Sequence, residues 1–184
     1  MKVDKMELEV PVLEGVTVTY ANGVMSATGK AGTVEKVLRN PKITISVADG
    51  VVVLTALNAT KKEKMFMNTY RAHLRNIMQG AAEGFKYKLR ICSGHFPMSA
   101  KIAGDVFELK NFLGEAFPRK LKLKSGAKVS IEGEYITVES PNKEIAGQIS
   151  ADLEKLTRIT NRDRRIFQDG IYIVMKGDKD LLAQ

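Results

Sequence analysis

The chain has little of what zinc proteins and disulfide-bonded secreted proteins depend on. Its 184 residues include one cysteine, Cys92, no tryptophan and two histidines, His73 and His95. A single cysteine excludes an internal disulfide framework and favours a reducing, cytoplasmic compartment. A zinc site built from Cys92, His95 and His73 would require distant segments to meet, so these residues argue against a metal centre.

Long apolar runs are also missing. No stretch approaches the roughly 20 residues that a membrane-spanning helix needs. The opening segment, MKVDKMELEV, alternates charged and apolar residues and lacks the apolar core of a signal peptide. Hydrophobic residues make up 44% of the chain, which is enough for ordinary cores. We therefore expect a folded cytoplasmic protein without a membrane segment.

Signatures of catalysis are absent as well. The segment GKAG, beginning at Gly29, lacks the spacing and the trailing Lys-Ser/Thr of a P-loop, so it predicts a turn. The chain has no dinucleotide fingerprint, no nucleophile in a recognisable setting and no carboxylate pair placed for acid–base chemistry. The sequence thus predicts a binding protein rather than an enzyme, with no cofactor and no metal.

Positive charge is abundant and unevenly distributed. The net charge is +8, and residues Phe85 to Gln184 carry 18 basic and 13 acidic residues. The short window from Lys155 to Lys176 alone holds six basic and two acidic residues. Such clustering indicates a polyanionic partner rather than general solubility.

The sequence repeats itself along its length. Residues 16–32 align without gaps with residues 98–114 at an offset of 82, and Gly50 then aligns with Gly133 at an offset of 83. In both copies, short alternating runs flank a glycine turn, which predicts antiparallel strands joined by hairpins. The segment GFKYKLRI, starting at Gly84, is predicted to be the strand that opens the second copy.

Each copy continues into an amphipathic helix, because four apolar residues recur at i, i+4, i+8 and i+11. We predict helices over Lys61–Gln79 and Asn142–Thr157, with a capping box from Thr60 to Glu63 and an N-cap at Ser140. The two apolar stripes are Phe66, Tyr70, Leu74 and Ile77, and Ile145, Ile149, Leu153 and Leu156.

These patterns predict an α+β fold of two duplicated domains, each a small, mainly antiparallel sheet packed against one helix. The predicted bounds are 1–83 for the first repeat, 84–176 for the second repeat and 177–184 for a C-terminal tail. The two copies differ after the helix, since Gly84 lies ten residues beyond Leu74 whereas Gly170 lies seventeen beyond Leu153. The surplus predicts a basic insertion near 158–170.

The insertion contains the sequence NRDRRIFQDG, which begins at Asn161. Arginines near a helix C-terminus can complement its dipole, and that accounts for Arg158 and Arg162. It does not account for Arg164 and Arg165 as well. Guanidinium groups donate paired hydrogen bonds to phosphate, and Phe167 could pack against a base or sugar, so the pattern favours a nucleic-acid contact.

Two further irregular stretches lie in the second copy. His95 falls in the segment ICSGHFPMSAK, where a lone loop histidine is typically a hydrogen-bonded surface residue. In the other stretch, Lys120, Lys122 and Lys124 alternate with leucines and project from one strand face. Such lysines either protect a sheet edge from aggregation or belong to a binding face.

The two-copy plan, the junction GFKYKLRI…SGHFP and the stretch TRITNRDRRIFQDGIYIV resemble the universal ribosomal protein family six of the large subunit, over essentially the whole chain. The arginine-rich signature is similar to that of the archaeal and eukaryotic branch rather than the bacterial one. The resemblance implies two α+β domains bound to 23S-type ribosomal RNA, mainly through the second. It also implies a position near the sarcin–ricin region, close to translational GTPases, and contacts with neighbouring ribosomal proteins in the cytoplasm.

The family signature falls on positions in all three irregular stretches. It includes Asp163, Asp169 and Gly170, which would orient the arginines or hold the turn, and Gly94 and Pro97 in the junction. The predicted RNA-binding residues are Arg158, Asn161, Arg162, Arg164, Arg165, Phe167, Gln168, Tyr172, Lys176, His95, Phe96, Asn111, Arg119 and Lys120.

One rival function is a basic protein–protein adaptor that grips an acidic partner, and a nuclease is a third alternative that lacks any cluster of metal ligands. RNA binding and the adaptor function differ in one measurable respect. RNA binding releases counterions and weakens steeply as salt rises, whereas the adaptor would not show this behaviour.

Overall fold

The computed structural model describes residues 3–48, 50–163, 165–177 and 179–181. The chain divides into two compact units, Met1–Gly84 and Phe85–Gln184. Each unit combines antiparallel sheets with one α-helix, so the fold class is α+β, as predicted.

The first unit contains two three-stranded antiparallel sheets, ordered β1-β6-β5 and β2-β3-β4. The Asn22-Gly23 turn joins β2 to β3 with φ values of 52° and 82°, the left-handed conformation that tight hairpins require. The bounds are β1 Val3–Pro11, β2 Thr17–Ala21, β3 Val24–Gly29, β4 Gly32–Val37, β5 Ile43–Ala48, β6 Val51–Ala59 and helix α1 Lys61–Ala82.

Helix α1 begins with the predicted capping box. The Thr60 side chain accepts from the Lys62 N–H, and Glu63 accepts from the Thr60 N–H at 2.9 Å. The predicted core position at Phe66 is wrong, because Phe66 is 40% exposed and Met67 is fully buried instead. The i+4 spacing placed Phe66 on the stripe, but the buried face is rotated by one residue at this end of the helix.

The second unit contains a three-stranded sheet, β8-β9-β10, and a five-stranded sheet, β11-β12-β7-β13-β14. Strand β14 lies within the predicted C-terminal tail. The bounds are β7 Phe85–Cys92, β8 Ser99–Ala103, β9 Val106–Lys110, β10 Arg119–Lys122, β11 Lys128–Glu132, β12 Tyr135–Ser140, helix α2 Lys143–Leu156, β13 Gly170–Lys176 and β14 Lys179–Asp180.

The N-cap of α2 differs from the prediction by two residues. Asn142, not Ser140, is the N-cap, and its side chain accepts from the Glu144 N–H at 2.9 Å. The Ser140 hydroxyl instead donates to the Gly126 carbonyl at 2.6 Å. Ser140 is the last residue of strand β12, whereas Asn142 directly precedes the helix. The Asn142 side chain therefore reaches the free N–H groups of the first helical turn.

The duplication is confirmed strand for strand. In the order of the chain, β1 to β6 of the first unit correspond to β7 to β12 of the second, and a helix follows in each. Three strands of each sheet therefore correspond between the units, with equivalent neighbours, and β13 and β14 extend one sheet of the second unit.

Gly84 and Gly170 are not equivalent positions in the two units. Gly84 precedes β7, which is the counterpart of β1, whereas Gly170 begins β13, which pairs with the outer edge of β7. In the described part of the first unit, no strand occupies the corresponding edge of β1. The irregular segment after α2 and strand β13 are therefore both additions to the repeated unit, and the surplus exceeds the seven residues counted from the sequence.

We expect Leu74→Ala and Leu153→Ala each to reduce the free energy of unfolding of its own unit by about 2–5 kcal/mol. Both leucines are fully buried on the apolar faces of their helices, so truncation leaves a cavity. Phe66→Ala is the matched control and should cost less than either leucine variant, because Phe66 is 40% exposed whereas both leucines are fully buried. Urea unfolding followed by circular dichroism measures all three. Wild-type stability of either leucine variant would contradict the assigned helix face.

Candidate nucleic-acid interface

Three irregular loops of the second unit contain most of the residues that the sequence predicted to bind RNA. We define the junction loop as residues 93–98, the central loop as residues 111–118 and the arginine-rich loop as residues 157–169. Side-chain hydrogen bonds and ring contacts join all three. The structure thus brings together the three stretches that the sequence identified separately.

Asp169 connects the arginine-rich loop to the junction loop. Its side chain is fully buried and accepts hydrogen bonds from the N–H groups of Gly94 at 2.5 Å and His95 at 3.2 Å. The His95 Nδ1 atom lies 3.4 Å from Asp169 Oδ2. A Cβ at Gly94 would lie 3.1 Å from Asp169 Oδ1, so a larger residue there would crowd the carboxylate. Residues separated by 75 positions therefore form one anchored structure.

The carboxylate of Asp169 is held in its charged form. Burial raises the pKa of Asp169. Hydrogen bonds from the Gly94 and His95 N–H groups and from the His95 ring lower it by more, so the pKa of Asp169 lies below its ordinary value of 3.8. Two backbone donors thus stabilise a charge that burial alone would disfavour.

Phe167 packs against two other side chains at the protein surface. Its ring stacks on the ring of His95 with centroids 4.8 Å apart and an interplanar angle of 25°. The Arg162 guanidinium lies 4.8 Å from the centre of the same ring. Phe167 therefore holds both the junction loop and Arg162.

Arg165 is paired with Asp163 in the arginine-rich loop. Arg165 donates from Nη2 to Asp163 Oδ2 at 2.7 Å and from Nε at 3.1 Å to Oδ1, and these bonds lower the pKa of Asp163. The guanidinium nevertheless remains 90% exposed. Asp163 was expected to orient the arginines or hold the turn, and among the described arginines it pairs with Arg165. Arg164 lies outside the described residues.

The central loop is joined to the junction loop, and Arg119, which follows the central loop at the start of β10, is joined to the end of α2. Asn111 donates from Nδ2 to the Pro97 carbonyl at 3.0 Å. Arg119 donates to both carboxylate oxygens of Glu115, at 2.8 and 2.6 Å, and to the carbonyl of Leu156 at the end of α2, at 2.5 Å. These bonds occupy the guanidinium within the protein, so they favour a positioning role for Arg119 over the predicted RNA contact.

Other predicted residues surround this anchored region. Arg158 and Tyr172 line a cavity of about 320 Å³ beside the end of α2. Gln168 donates to the Arg165 carbonyl at 3.2 Å, and Asn161 adopts a left-handed φ of 59°. Phe96 is 41% exposed in the junction loop. These placements leave each side chain at the surface of the arginine-rich or junction loop, or beside the cavity.

The two predicted lysines lie on strands rather than in the loops. Lys120 on β10 forms an ion pair with Glu108 at 3.1 Å, and Glu108 also pairs with Lys101 at 2.9 Å. Hydrogen bonds from Lys101 and Lys120 lower the pKa of Glu108. Lys176 is exposed at the end of β13. The structure thus places both lysines at the surface, with one of them partly neutralised.

Three residues of the site were not predicted. Thr157 is buried, and its hydroxyl accepts from the Ile171 N–H at 2.9 Å, which fixes the start of β13. Phe117 and Ile166 are 86% and 63% exposed. The position of Phe117 directly before Pro118, in a lysine-rich stretch, is a signal that could have identified it.

Over the described ranges, no group of three or more histidine, cysteine, aspartate or glutamate side chains could hold a metal ion. The same part of the chain has no helix long and apolar enough to cross a membrane. The chemistry of the site is therefore that of exposed guanidinium groups, backbone donors and aromatic rings.

We expect Asp169→Asn to speed hydrogen exchange of the Gly94 and His95 amides and to destabilise the second unit by about 1–3 kcal/mol. The folded pKa of Asp169 is depressed, so its contribution is complete above about pH 4 and declines as pH falls through the folded pKa. The stability difference between wild type and variant should shrink over that acidic range. Asp163→Asn is the control and should leave these two amides unchanged. Unaltered exchange in Asp169→Asn would contradict the anchoring role.

Comparison with known proteins agrees with the architecture. The family model of ribosomal protein L6 matches residues 10–84. Large ribosomal subunit protein uL6 of Methanosarcina mazei is 43% identical over 169 residues, covering 92% of this chain and 95% of that protein. The proteins of the same name from Methanobrevibacter smithii and Nanoarchaeum equitans are 39% and 37% identical, covering 92% and 100% of this chain and 94% and 100% of their own lengths.

These relatives are archaeal, as the arginine-rich signature indicated. The similarity extends over both units and includes all three loops of the second. The chain belongs to the ribosomal protein L6 family.

Proposed function

We propose that the protein is a structural, non-catalytic component of the large ribosomal subunit and binds 23S-type ribosomal RNA mainly through its second unit. The observation that carries this proposal is the anchoring of exposed arginines by Asp169. The buried carboxylate holds the junction and arginine-rich loops together, and Arg158, Arg162 and Arg165 remain at the surface of the resulting structure.

Pre-organisation favours phosphate binding by these side chains. Arg162 is held over Phe167, and Arg165 is held by Asp163 while staying 90% exposed. A guanidinium that is already oriented loses less side-chain freedom when it donates to a phosphate. Arg162 and Arg165 are therefore the described arginines that we expect to contact RNA phosphates, together with Arg164 from the same run.

We further propose that the second unit lies near the sarcin–ricin region of the RNA, close to the docking site of translational GTPases. The resemblance of the NRDRRIFQDG stretch to the family signature supports this position. Neighbouring ribosomal proteins would complete the environment, and the protein would reside in the cytoplasm with the ribosome.

A basic adaptor that grips an acidic protein is the second candidate, and the same arginines support it. The two functions differ in the number of condensed counterions that binding releases. Two measurements therefore distinguish RNA binding from the adaptor function: the salt dependence of the affinity, and whether the protein binds RNA from which all other proteins have been removed.

We expect the double variant Arg164→Ala, Arg165→Ala to weaken binding to a protein-free large-subunit rRNA fragment. The slope of log affinity against log salt should fall by about one to two units, because each phosphate contact contributes close to one. The double variant Lys61→Ala, Lys64→Ala is the matched control, since it removes the same charge from exposed positions at the start of α1. Titrations at several salt concentrations measure both slopes.

Two results would contradict this proposal. Wild-type affinity and slope in a normally folded arginine variant would show that the arginine-rich loop is merely solvated. Equal losses in the arginine and lysine variants would overturn the second unit as the main contact.

Directed hydroxyl-radical cleavage tests the proposed position. In a Cys92→Ser background, Ile166→Cys introduces a single attachment point for an iron chelate at a side chain that is 63% exposed. We expect cleavage of the rRNA in reconstituted subunits to cluster around the sarcin–ricin region. Val37→Cys, on an exposed residue of the first unit, is the control and should give a different cleavage pattern. Cleavage from position 166 confined to distant helices would contradict the proposed position.

A further inference from the structure

Phe117, in the central loop, has no ring contact with any residue that the structure describes. Phe117 is 86% exposed, the highest value among the large hydrophobic side chains described as exposed. A single exposed apolar side chain is common by itself, so the case for a partner rests on the fixed backbone around Phe117 and on the positive charge beside it. The proposal that follows rests on the proposed rRNA-binding function.

The backbone on both sides of Phe117 is held in place. Glu115 and Arg119 form a bidentate ion pair across the bend, and Arg119 also lies 4.2 Å from the centre of the Phe112 ring. Arg119 is tied to α2 through the Leu156 carbonyl. The intervening residues therefore project from two fixed points.

Local conformation reinforces this bend. Asn111 and Leu113 have φ values of 60° and 50°, a region that bulky residues such as leucine rarely adopt. The Glu115 N–H donates to the Phe112 carbonyl at 3.0 Å. Pro118 restricts Phe117 to extended backbone conformations. A strained, hydrogen-bonded loop of this kind presents the ring of Phe117 in a defined place.

The surroundings of Phe117 in the sequence are strongly basic. Residues 110–124 contain five basic residues and one acidic residue, Glu115. Lys110, Lys120, Lys122 and Lys124 are all exposed. This charge favours a polyanion over an acidic or apolar protein surface of equal size, because a nucleic acid supplies both phosphates and aromatic bases.

We propose that Phe117 stacks on an unpaired base of the ribosomal RNA. Bases within a continuous duplex have both faces covered by their neighbours, so an exposed ring can stack only on a base in a loop, bulge or end. The flanking lysines would hold the adjacent phosphates while Arg119 positions the ring. The RNA partner of the central loop is accordingly a segment with at least one unstacked base.

The test compares two single-stranded probes with the full-length protein. One is an oligouridylate of about a dozen nucleotides, and the other is an abasic oligoribonucleotide with the same number of phosphates. Wild type should bind the oligouridylate roughly 5- to 150-fold more tightly. Phe117→Ala should reduce that ratio to near one, Phe117→Tyr should retain it, and both should keep the wild-type salt slope.

Controls separate this inference from the proposed function. Leu57→Ala removes a 65% exposed apolar side chain from the first unit and should leave the ratio unchanged. The stacking site would be overturned if wild type bound both probes equally tightly, or if Phe117→Ala kept the wild-type affinity ratio. Either result would count against it even if rRNA binding persists. If the wild-type protein did not bind protein-free rRNA at all, the proposed function would be overturned instead. Binding of a protein through Phe117, with no effect on the probe ratio, would assign the ring to a protein partner.

Discussion

A buried carboxylate must find hydrogen-bond donors, and this constraint organises the second unit. Asp169 satisfies it with the backbone N–H groups of Gly94 and His95. Because these bonds fix His95, its ring can stack on Phe167, which in turn holds Arg162. The junction loop then reaches the central loop through the bond between the Pro97 carbonyl and Asn111. One charged group within the protein therefore determines where several exposed cations and rings lie.

The duplicated fold separates the apolar cores from the loops that are proposed to bind RNA. Both units have two corresponding sheets and a helix, whose buried residues form an apolar core in each. The units differ in their connections: residues 30–31 join β3 to β4 in the first, whereas residues 111–118 join β9 to β10 in the second. Strand β13 also covers an edge of β7 and thereby supports the end of the arginine-rich loop. A rigid scaffold thus positions the irregular segments that hold most of the residues proposed to bind RNA.

The arginines of this surface have distinct roles despite their similar sequence environment. Arg119 is held by Glu115 and the end of α2, whereas Arg165 is paired with Asp163 yet remains open to solvent. Arg162 lies over an aromatic ring. A guanidinium has five donors and two flat faces, so it can be fixed through some of them while others stay available to phosphate. The local acceptors therefore decide which arginine positions the loops and which one faces a partner.

Local patterns in the sequence determined the duplication, the fold class, the capping box at Thr60 and the location of both helices, because periodicity and turn chemistry act over a few residues. They also identified the three irregular stretches of the second unit. Only the tertiary structure decided that Phe66 is exposed, that Asn142 caps α2 and that β13 pairs with β7. The contacts between Asp169 and Gly94, and between Arg119 and Leu156, join residues 75 and 37 positions apart. Such pairings depend on how the sheets and the helix pack, so no local pattern in the sequence specifies them.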